Sequence, residues 1–340
     1  MESSRLPLLL TASISTRGMK GACFSDAERE AMYLAAIKWY LENLPEDQPI
    51  VFAENSGWNL SAFADLVRVN SSSSSANENE ELEVRWREEV EVDSGCSNSP
   101  HNRTIEPSNL QTSNAQPPTS NLSNLSNLSN LSSRIEWISV DPSICDQSRG
   151  KGYNEILLMN EAVARSETIK KAGAFMKATG RYPIVNMPHH LAEAASYIFD
   201  RGYAYYGHVK DHKIFDWLHT GWNGHVGVTV LFATTLDFYG EKFAKKFGEL
   251  NDYGGMLIED LFYRELIPYR LPGRRGWYEG ASADGKTKVV LRLRDGIGIR
   301  GKQGADLKAV SFSQDPNSFK SKLKGRIRGF IRKYLPWVWF

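Results

Sequence analysis

Cysteine is scarce in this 340-residue chain, and the few present follow no spacing of a metal site or a disulfide framework. They are Cys23, Cys96 and Cys145. An odd number of dispersed thiols is typical of a protein in a reducing compartment. The sequence also lacks a run of about 18 apolar residues, the length of a membrane-spanning helix. Because the apolar run from Leu6 to Leu10 is too short for a signal peptide, we expect a cytoplasmic protein.

A strong net charge is also absent, since 41 basic and 40 acidic residues leave a formal charge of +1. The balance hides an asymmetry, because the segment from Phe319 to Phe340 holds seven basic residues and no acidic one. The remainder has 34 basic and 40 acidic residues, a net charge of −6. An acidic body with a basic end favours one localised contact, so we expect no nucleic-acid partner.

Strand and helix patterns alternate along most of the chain. Short apolar runs predict buried strands at Leu8–Ile14, Pro49–Ala53, Arg134–Val140, Phe175–Thr179 and Val226–Ala233. Helical periodicity and start signals predict helices after Ser25, at Asn59–Val69, at Tyr153–Arg165, from Pro188 and at Met256–Ile267. The first of these helices opens with Ser25 and Glu28 at capping-box spacing. This alternation predicts an α/β fold with a mainly parallel sheet flanked by helices.

The alternation stops between residues 70 and 133, where a serine run, a charged stretch and repeated Asn-Leu-Ser triplets occur. This composition predicts a disordered insertion within an α/β domain of residues 1–280. Residues 281–316 are predicted to form a β-hairpin extension, because Asp284-Gly285 and Asp295-Gly296 are turn dipeptides between alternating apolar runs. The composition assigns no role to the insertion.

The loops at the predicted strand ends carry the chemistry for holding an activated nucleotide. Ligands of open α/β sheets bind beyond the carboxyl ends of strands, where the strand order reverses. The loops are Thr11–Ser15, Glu54–Ser56, Gly150–Gly152 and Lys177–Arg181. Gly150-Lys151-Gly152 before a helix favours a phosphate, although an ordinary glycine-rich turn has the same pattern. Two interpretations of Arg181 are equally consistent with the sequence. It binds a phosphate bidentately, or it is an ordinary solvated residue at a strand end.

An acidic pair, Glu259-Asp260, stands near the start of an otherwise apolar helix, shortly after Gly254-Gly255. A carboxylate beside a flexible glycine pair can serve as a general base. The alternative is a first-turn acid that stabilises the helix dipole and belongs to no site.

These segments, in their order and spacing, resemble bacterial glycosyltransferases of the GT-A type that act in surface-polysaccharide biosynthesis, that of capsule and lipopolysaccharide. The resemblance rests on Leu8–Ser15, Val51–Ser56, Gly150–Glu155, Lys177–Tyr182 and Ile258–Asp260. It covers about residues 6–69 and 134–280, and leaves out the insertion and the C-terminal end.

The resemblance implies a GT-A-like fold and a hexosyltransferase-like enzyme of the inverting kind. Such an enzyme moves a sugar from a nucleotide-diphosphate donor to a glycan or lipid-linked acceptor. Asp260, preferred over Glu259, would deprotonate the acceptor hydroxyl. The implied contacts to the nucleotide sugar come from Thr11, Ser13, Glu54, Asn55, Lys151, Gly152, Lys177, Thr179 and Arg181. Two other hypotheses stay open, a sugar-1-phosphate nucleotidyltransferase and a non-catalytic membrane-associated scaffold of the same fold.

One feature of the resembling enzymes is missing. Many of them carry an Asp-x-Asp metal motif at the end of the fourth strand, where this chain has Thr179-Gly180-Arg181. Without the motif, Arg181 and Lys151 are expected to neutralise the leaving diphosphate, and dependence on a divalent metal stays open. Asp211 is the spare carboxylate considered for a metal.

Two further patterns are rejected as sites. Gly296–Gly301 matches the dinucleotide-binding fingerprint, but the residues after it do not open an apolar helix. The histidines His208, His212, His219 and His225 surround Asp211 in the sequence without the spacing of a zinc site.

The C-terminal end, residues 317–340, has the pattern of a basic amphipathic helix. Its apolar positions at helical spacing are Phe319, Leu323, Ile327, Phe330, Ile331 and Tyr334. Basic residues occupy other faces, and the chain ends in Trp337-Val338-Trp339-Phe340. Such helices lie in the interface of anionic membranes, so we expect peripheral attachment to the inner face of the cell membrane. The alternative is a helix packed on the body or on a partner protein.

Overall fold

The computed structural model of the protein describes most of the chain. The described residues are 5–15, 24–72, 134–211, 224–271, 279–305 and 308–313, together with Leu323 and Ile327. The chain divides into two compact units, Met1–Val67 with Ser133–Phe340, and Arg68–Ser132. The sheet and the candidate site belong to the first unit.

The main sheet contains eight strands. They are β1 Leu8–Ala12, β2 Ile50–Glu54, β3 Ile135–Ser139, β4 Ala174–Thr179, β5 Tyr205–Asp211, β6 His225–Thr235, β7 Glu279–Ala281 and β8 Lys288–Val290. Their spatial order is β3-β2-β1-β4-β6-β5-β8-β7. The pairs β1-β2, β2-β3, β1-β4 and β5-β8 are parallel. The pairs β4-β6, β5-β6 and β7-β8 are antiparallel. The α/β class is therefore confirmed, but the sheet is mixed rather than mainly parallel.

Helices flank the sheet. They are α1 Asp26–Asn43, α2 Leu60–Ser72, α3 Lys151–Arg165, α4 Glu167–Ala172, α5 Met187–Ala195, α6 Leu236–Lys242 and α7 Ile258–Leu266. Short 3-10 turns occupy Pro142–Ile144, Ala244–Glu249, Asp252–Gly254 and Ile267–Tyr269, and a π turn occupies Ser196–Asp200. The predicted capping box is present, since Ser25 Oγ accepts from the Glu28 amide at 3.2 Å and Glu28 Oε2 accepts from the Ser25 amide at 2.7 Å.

Helix α7 packs directly on β6, and this contact fixes the position of the acidic pair in the first turn of α7. A Cβ at Gly227 of β6 would lie 2.4 Å from Phe262 Cβ and 2.9 Å from the Tyr263 nitrogen, so only glycine permits the approach. Phe262 also stacks on Phe243 with ring centroids 3.9 Å apart. Full burial of a phenylalanine contributes about 1.5–3 kcal/mol, so the apolar face of α7 holds the helix in place.

The carboxyl ends of β1, β2, β4 and β5 lie along one edge of the sheet, because β6 is antiparallel to both of its neighbours. The chain goes from β1 to β2 and β3 in one direction, whereas β4 lies on the other side of β1. The strand order therefore reverses between β1 and β4, where Thr11 pairs with Thr179. Ligand crevices of open α/β sheets form at such reversals.

The expected hairpin extension is divided between two sheets. The Asp284-Gly285 turn does join β7 to β8, with Gly285 at φ 70°. Because β8 pairs with β5, this hairpin belongs to the main sheet, and a domain boundary at residue 280 falls inside β7. A separate two-stranded sheet follows, made of β9 Arg300–Ala305 and β10 Lys308–Ser313.

The second expected turn, Asp295-Gly296, does not form a hairpin, because the strands on either side of it, β8 and β9, belong to different sheets. Its segment lies along the start of α5, where Asn186 Nδ2 donates to the Gly296 carbonyl at 2.8 Å. The amide of Gly298 donates to Asn186 Oδ1 at 2.9 Å. Strand β9 follows these glycines instead of a helix, so the rejection of the dinucleotide fingerprint is confirmed.

The insertion gives a prediction about folding. Helix α2 continues to Ser72, and residues 73–133, which hold most of the predicted disordered segment, lie outside the described residues. We expect that replacing residues 73–133 with a short Gly-Ser linker leaves folding intact, because loop-closure entropy changes slowly with length. The measurement is the thermal unfolding midpoint and the soluble yield. Loss of soluble folded protein would contradict the expectation and assign the segment a structural role.

Within the described ranges, no helix is both long and apolar enough to cross a membrane. Most of the basic C-terminal segment lies outside the described residues. Its two described residues, Leu323 and Ile327, are helical, with exposed fractions of 47% and 51%. They are four positions apart, the spacing at which residues of one continuous helix share a face.

Candidate functional site

The loops after β1 and β2 are joined to α3 through Asn55. Ser13 Oγ donates to Asn55 Oδ1 at 2.5 Å, and Asn55 Nδ2 donates to the carbonyl of Asn154 at 3.3 Å. Asn154 Nδ2 donates in turn to the carbonyls of Asp146 and Gly150 at 2.8 and 2.7 Å. The structure therefore brings the predicted residues Ser13 and Asn55 together at the carboxyl edge, beside the first turn of α3.

Glu54 turns its carboxylate into the protein, and the side chain is fully buried. Glu54 Oε1 accepts from the amides of Ile14 at 3.1 Å and Ser56 at 2.8 Å. Glu54 Oε2 accepts from the amide of Trp58 at 3.2 Å. These amide donors satisfy the Glu54 carboxylate and hold the loops after β1 and β2 in place. The sequence led us to expect a contact between Glu54 and the nucleotide, but the carboxylate is not open to one.

Thr11 also forms part of the framework beneath the edge. It is 5% exposed, and its carbonyl accepts from the amide of Gly180 at 3.0 Å. A Cβ at Gly180 would lie 3.0 Å from the same carbonyl oxygen. Glycine at this position lets the chain leaving β4 turn tightly against β1.

Arg181 provides positive charge beyond β4. Its guanidinium lies 4.9 Å from the ring centroid of Tyr182 and 5.8 Å from that of Phe24, and it donates to the Tyr182 hydroxyl. The buried Nε of Arg181 has no hydrogen-bond partner among the described residues. A buried guanidinium donor without an acceptor is costly unless a ligand supplies one.

Arg29 of α1 is a second arginine at this edge, and the sequence interpretation missed it. Its Nε donates to the carbonyls of Ser13 at 3.0 Å and Ile14 at 3.1 Å. Burial and the nearby Arg181 guanidinium both lower the pKa of Arg29, although a guanidinium stays charged in proteins. The available signal was its position four residues before Tyr33, within the buried stripe of α1.

Lys177 is buried beneath the edge on the α3 side and is fully partnered. Its ammonium donates to Glu155 of α3, to Thr179 Oγ1 at 3.2 Å and to the carbonyl of Thr229 at 2.7 Å. The side chain is 0% exposed, and that of Glu155 is 26% exposed. Three acceptors match the three donors of an ammonium group, so Lys177 holds the site together and does not reach a phosphate. Thr179 accepts one of these bonds and marks the end of β4.

Glu259, near the start of α7, has the electrostatic properties of a proton acceptor. Burial raises the pKa of its carboxyl, and the nearby carboxylates of Glu155 and Asp252 raise it further. Lys177 acts in the opposite direction and lowers the pKa of Glu259. A carboxylate with a raised pKa binds a proton more readily near neutral pH, as a general base requires.

Asp260, the preferred base in the sequence interpretation, has a local role in the structure. Its Oδ2 accepts from the amide of Leu257 at 3.1 Å, across the first turn of its own helix. This bond satisfies a donor that α7 would otherwise leave open at its N-terminus. The geometry therefore matches the alternative of a first-turn helix acid for Asp260 and leaves Glu259 as the stronger candidate for the base.

The Gly150-Lys151-Gly152 loop binds a carboxylate of the protein itself. Asp252 Oδ2 accepts from the amides of Lys151 at 2.6 Å and Gly152 at 3.1 Å, at the N-terminus of α3. These are the donors that the sequence pattern assigned to a phosphate. Lys151 itself is exposed, so its side-chain charge remains at the surface of this edge.

Asp211 is occupied and does not offer a spare carboxylate to a metal. It is 2% exposed, accepts from Tyr263 Oη at 3.0 Å, and lies 2.7 Å from His225 Nδ1. Arg270 forms an ion pair with its other oxygen. Across the described part of the chain, no group of three or more His, Cys, Asp and Glu residues could hold a metal ion. His212 and His219 lie outside that part.

Comparison with protein-family models, with curated proteins and with solved structures found no match for the chain.

Proposed function

We propose that the chain is an inverting glycosyltransferase with a GT-A-like fold that uses a nucleotide-diphosphate sugar and acts in surface-polysaccharide assembly. One observation carries the proposal. Two neighbouring guanidinium groups, Arg29 and Arg181, lie at the edge where the strand order reverses, and a half-buried carboxyl of raised pKa, Glu259, lies near Lys177 of β4 at the start of α7. Sugar transfer from a diphosphate needs both kinds of group, a cation for the leaving group and an acceptor for the hydroxyl proton.

In the proposed reaction, the carboxylate of Glu259 accepts the proton of the acceptor hydroxyl. The acceptor oxygen then forms a bond to the anomeric carbon while the bond from that carbon to the diphosphate oxygen breaks. Attack on the face opposite the leaving group inverts the configuration of the sugar. The products are a glycoside and a nucleoside diphosphate, whose new negative charge is stabilised by Arg181.

The remaining residues have supporting roles in this proposal. Arg29 holds the carbonyls of Ser13 and Ile14, and thereby the loop after β1 that would face the nucleotide. Lys177 joins β4, β6 and α3 beneath the reacting groups. Lys151 contributes charge from an exposed position at the start of α3.

The test is a thermal-shift screen with nucleotide sugars, followed by product analysis with each stabilising donor. We expect at least one nucleotide-diphosphate sugar to raise the unfolding midpoint and to yield nucleoside diphosphate in the presence of an acceptor. Release of pyrophosphate from a sugar phosphate and a nucleoside triphosphate would identify a nucleotidyltransferase instead. A complete lack of nucleotide-sugar binding would favour the non-catalytic scaffold. Parallel reactions with chelator and with magnesium measure the dependence on a divalent metal.

The proposed acceptor lies at a membrane surface, and the C-terminal segment supports this part of the proposal. Leu323 and Ile327 present large apolar side chains to solvent at helical spacing, in a segment with seven basic residues and no acidic one. Each basic residue near an anionic surface contributes about 1 kcal/mol of binding. An interfacial helix would hold the enzyme peripherally on the inner face of the cell membrane, beside a lipid-linked or growing glycan.

A truncated protein tests the membrane contact. We expect the chain ending at Asn317 to remain folded and to stop co-sedimenting with anionic phospholipid vesicles, while it still binds the nucleotide sugar. The full chain with Leu323→Ala and Ile327→Ala is the matched control, because it keeps every charge and removes two exposed apolar groups. It should bind the vesicles more weakly than the full chain. Unchanged sedimentation of the truncated protein would refute the membrane contact.

A further inference from the structure

The segment that precedes α7 is attached to the start of α3 through Asp252, and Arg149 Nε also donates to the carbonyl of Leu250 at 3.0 Å. Asp252 Oδ2 accepts from the amides of Lys151 and Gly152, and the Asp252 amide donates to the carbonyl of Arg149 at 2.9 Å. The segment therefore binds α3 from both its backbone and its side chain. Asp252 lies about 100 residues from these partners in the sequence, so the contact is a tertiary one.

Both glycines of the Gly-Lys-Gly loop are needed for this attachment. A Cβ at Gly150, whose φ is 93°, would lie 2.5 Å from Asp252 Oδ2. A Cβ at Gly152 would lie 2.8 Å from Asp252 Oδ1 and 3.0 Å from Ile258 Cβ. The start of α3 thus receives both the Asp252 carboxylate and the first residue of α7. The sequence pattern attributed to a phosphate is explained by this close approach.

The attached segment leads directly to Glu259. Asn251 and Met256 pair with each other, the amide of each donating to the carbonyl of the other at 3.0 Å. This pairing closes the residues between them into a tight turn, and α7 begins at Ile258. The groups that face Glu259 are Glu155 of α3, Lys177 of β4 and Asp252 of this turn.

We propose that Asp252 is a positioning residue that holds Glu259 in place by fixing the turn before α7 to the N-terminus of α3. This role rests on the proposed function, in which Glu259 is the base. Asp252 acts on Glu259 in two ways, through the geometry of the turn and through its negative charge. A base displaced by about 1 Å loses on the order of 100-fold in rate, so the attachment matters for turnover.

Two substitutions at Asp252 separate geometry from charge. Asp252→Asn keeps an oxygen acceptor for the two amides and removes the charge, so it should lower the pKa of Glu259 and move the acid limb of kcat to lower pH. Asp252→Ala also removes both side-chain bonds to the α3 amides and should lower kcat roughly 100-fold. Gly152→Ala keeps the charge of Asp252 and suits a helix, yet its Cβ collides with the attached turn. It should therefore also lower kcat.

The pKa of Glu259 is measured by NMR titration of carboxyl-labelled protein, with Glu259→Gln to assign its signal. This readout needs no substrate, so it decides the electrostatic part even if no donor is turned over, an outcome that would reject only the proposed function. A lower pKa in Asp252→Asn, with reduced kcat in Asp252→Ala and Gly152→Ala, supports the positioning role. An unchanged pKa of Glu259 and an unchanged acid limb in Asp252→Asn would overturn the positioning role, and so would a wild-type kcat in Gly152→Ala. Asp252 would then be only a helix cap of α3.

Discussion

Glu259→Gln is expected to lower the turnover of the protein by about 10²–10⁴-fold, the usual contribution of a positioned general base. The substitution keeps the size and shape of the side chain and removes its ability to accept the proton. Donor binding should survive, because the proposed contacts to the diphosphate come from Arg181. The measurement is kcat and the donor Kd under the same conditions, with a pH profile for the wild-type protein.

The same substitution should make the protein more stable. Because the pKa of Glu259 is raised in the folded state, the folded protein binds this proton more tightly than the unfolded chain does. The stability associated with the proton is therefore present below the unfolded pKa and is lost as pH rises through the folded pKa. Glutamine has no charge to bury at neutral pH, so Glu259→Gln should raise the unfolding midpoint, and the gain should shrink at acidic pH.

Asp260→Asn is the matched control, since it alters the neighbouring acid of the same helix. Asp260 accepts from the Leu257 amide, so this variant should lose some helix stability and retain most of the turnover. The opposite pattern, with Asp260→Asn inactive and Glu259→Gln active, would return the base to Asp260. If both variants stayed active, the acidic pair would have no part in the reaction.

Arg181→Ala is expected to weaken binding of the nucleotide-diphosphate sugar roughly 10- to 100-fold, the range for losing hydrogen bonds to a charged group. Arg181→Lys should recover only part of this affinity, because an ammonium keeps the charge but lacks the planar fork of donors. Calorimetric titration with the donor and with the free nucleoside diphosphate measures both effects. In Arg181→Ala the affinity for the free nucleoside diphosphate should fall at least as much as the affinity for the donor, since the free diphosphate carries the greater charge.

Lys171→Ala supplies the control for charge. Lys171 is exposed in α4, just before β4 begins, and therefore lies toward the opposite edge of the sheet from Arg181. Removing this positive charge should leave donor affinity within about twofold, since exposed charges farther apart than about 10 Å are largely screened. Equal losses in Arg181→Ala and Lys171→Ala would point to a general electrostatic effect and against a diphosphate contact at Arg181.

The sequence alone determined the local elements and the edge of the sheet that matters. The capping box at Ser25, the apolar runs of β1 to β4 and the helix that starts near Pro188 were all predictable. These features depend on the periodicity of apolar residues and on hydrogen bonds between residues close in sequence. Both can be recognised within a short window of sequence. The strand ends at Ser13, Asn55 and Arg181 followed from them, because parallel strands end on one edge.

The direction of the later strands required the tertiary structure. Strand β5 was missed, and nothing local in β6 reveals that it runs antiparallel between β4 and β5. Strand direction depends on which neighbours a segment finds across the sheet, and the hydrophobic pattern of one strand is the same in either direction. The sheet was therefore predicted as mainly parallel and is mixed.

The roles of individual polar residues were also decided by tertiary contacts. Glu54 and Lys177 look like ligand contacts in the sequence, yet each finds its partners inside the protein. The Asp252 carboxylate accepts hydrogen bonds at the N-terminus of α3, where the Gly-Lys-Gly pattern predicted a phosphate. A sequence states which groups can donate or accept, whereas the partner each group meets depends on residues brought together only when the chain folds.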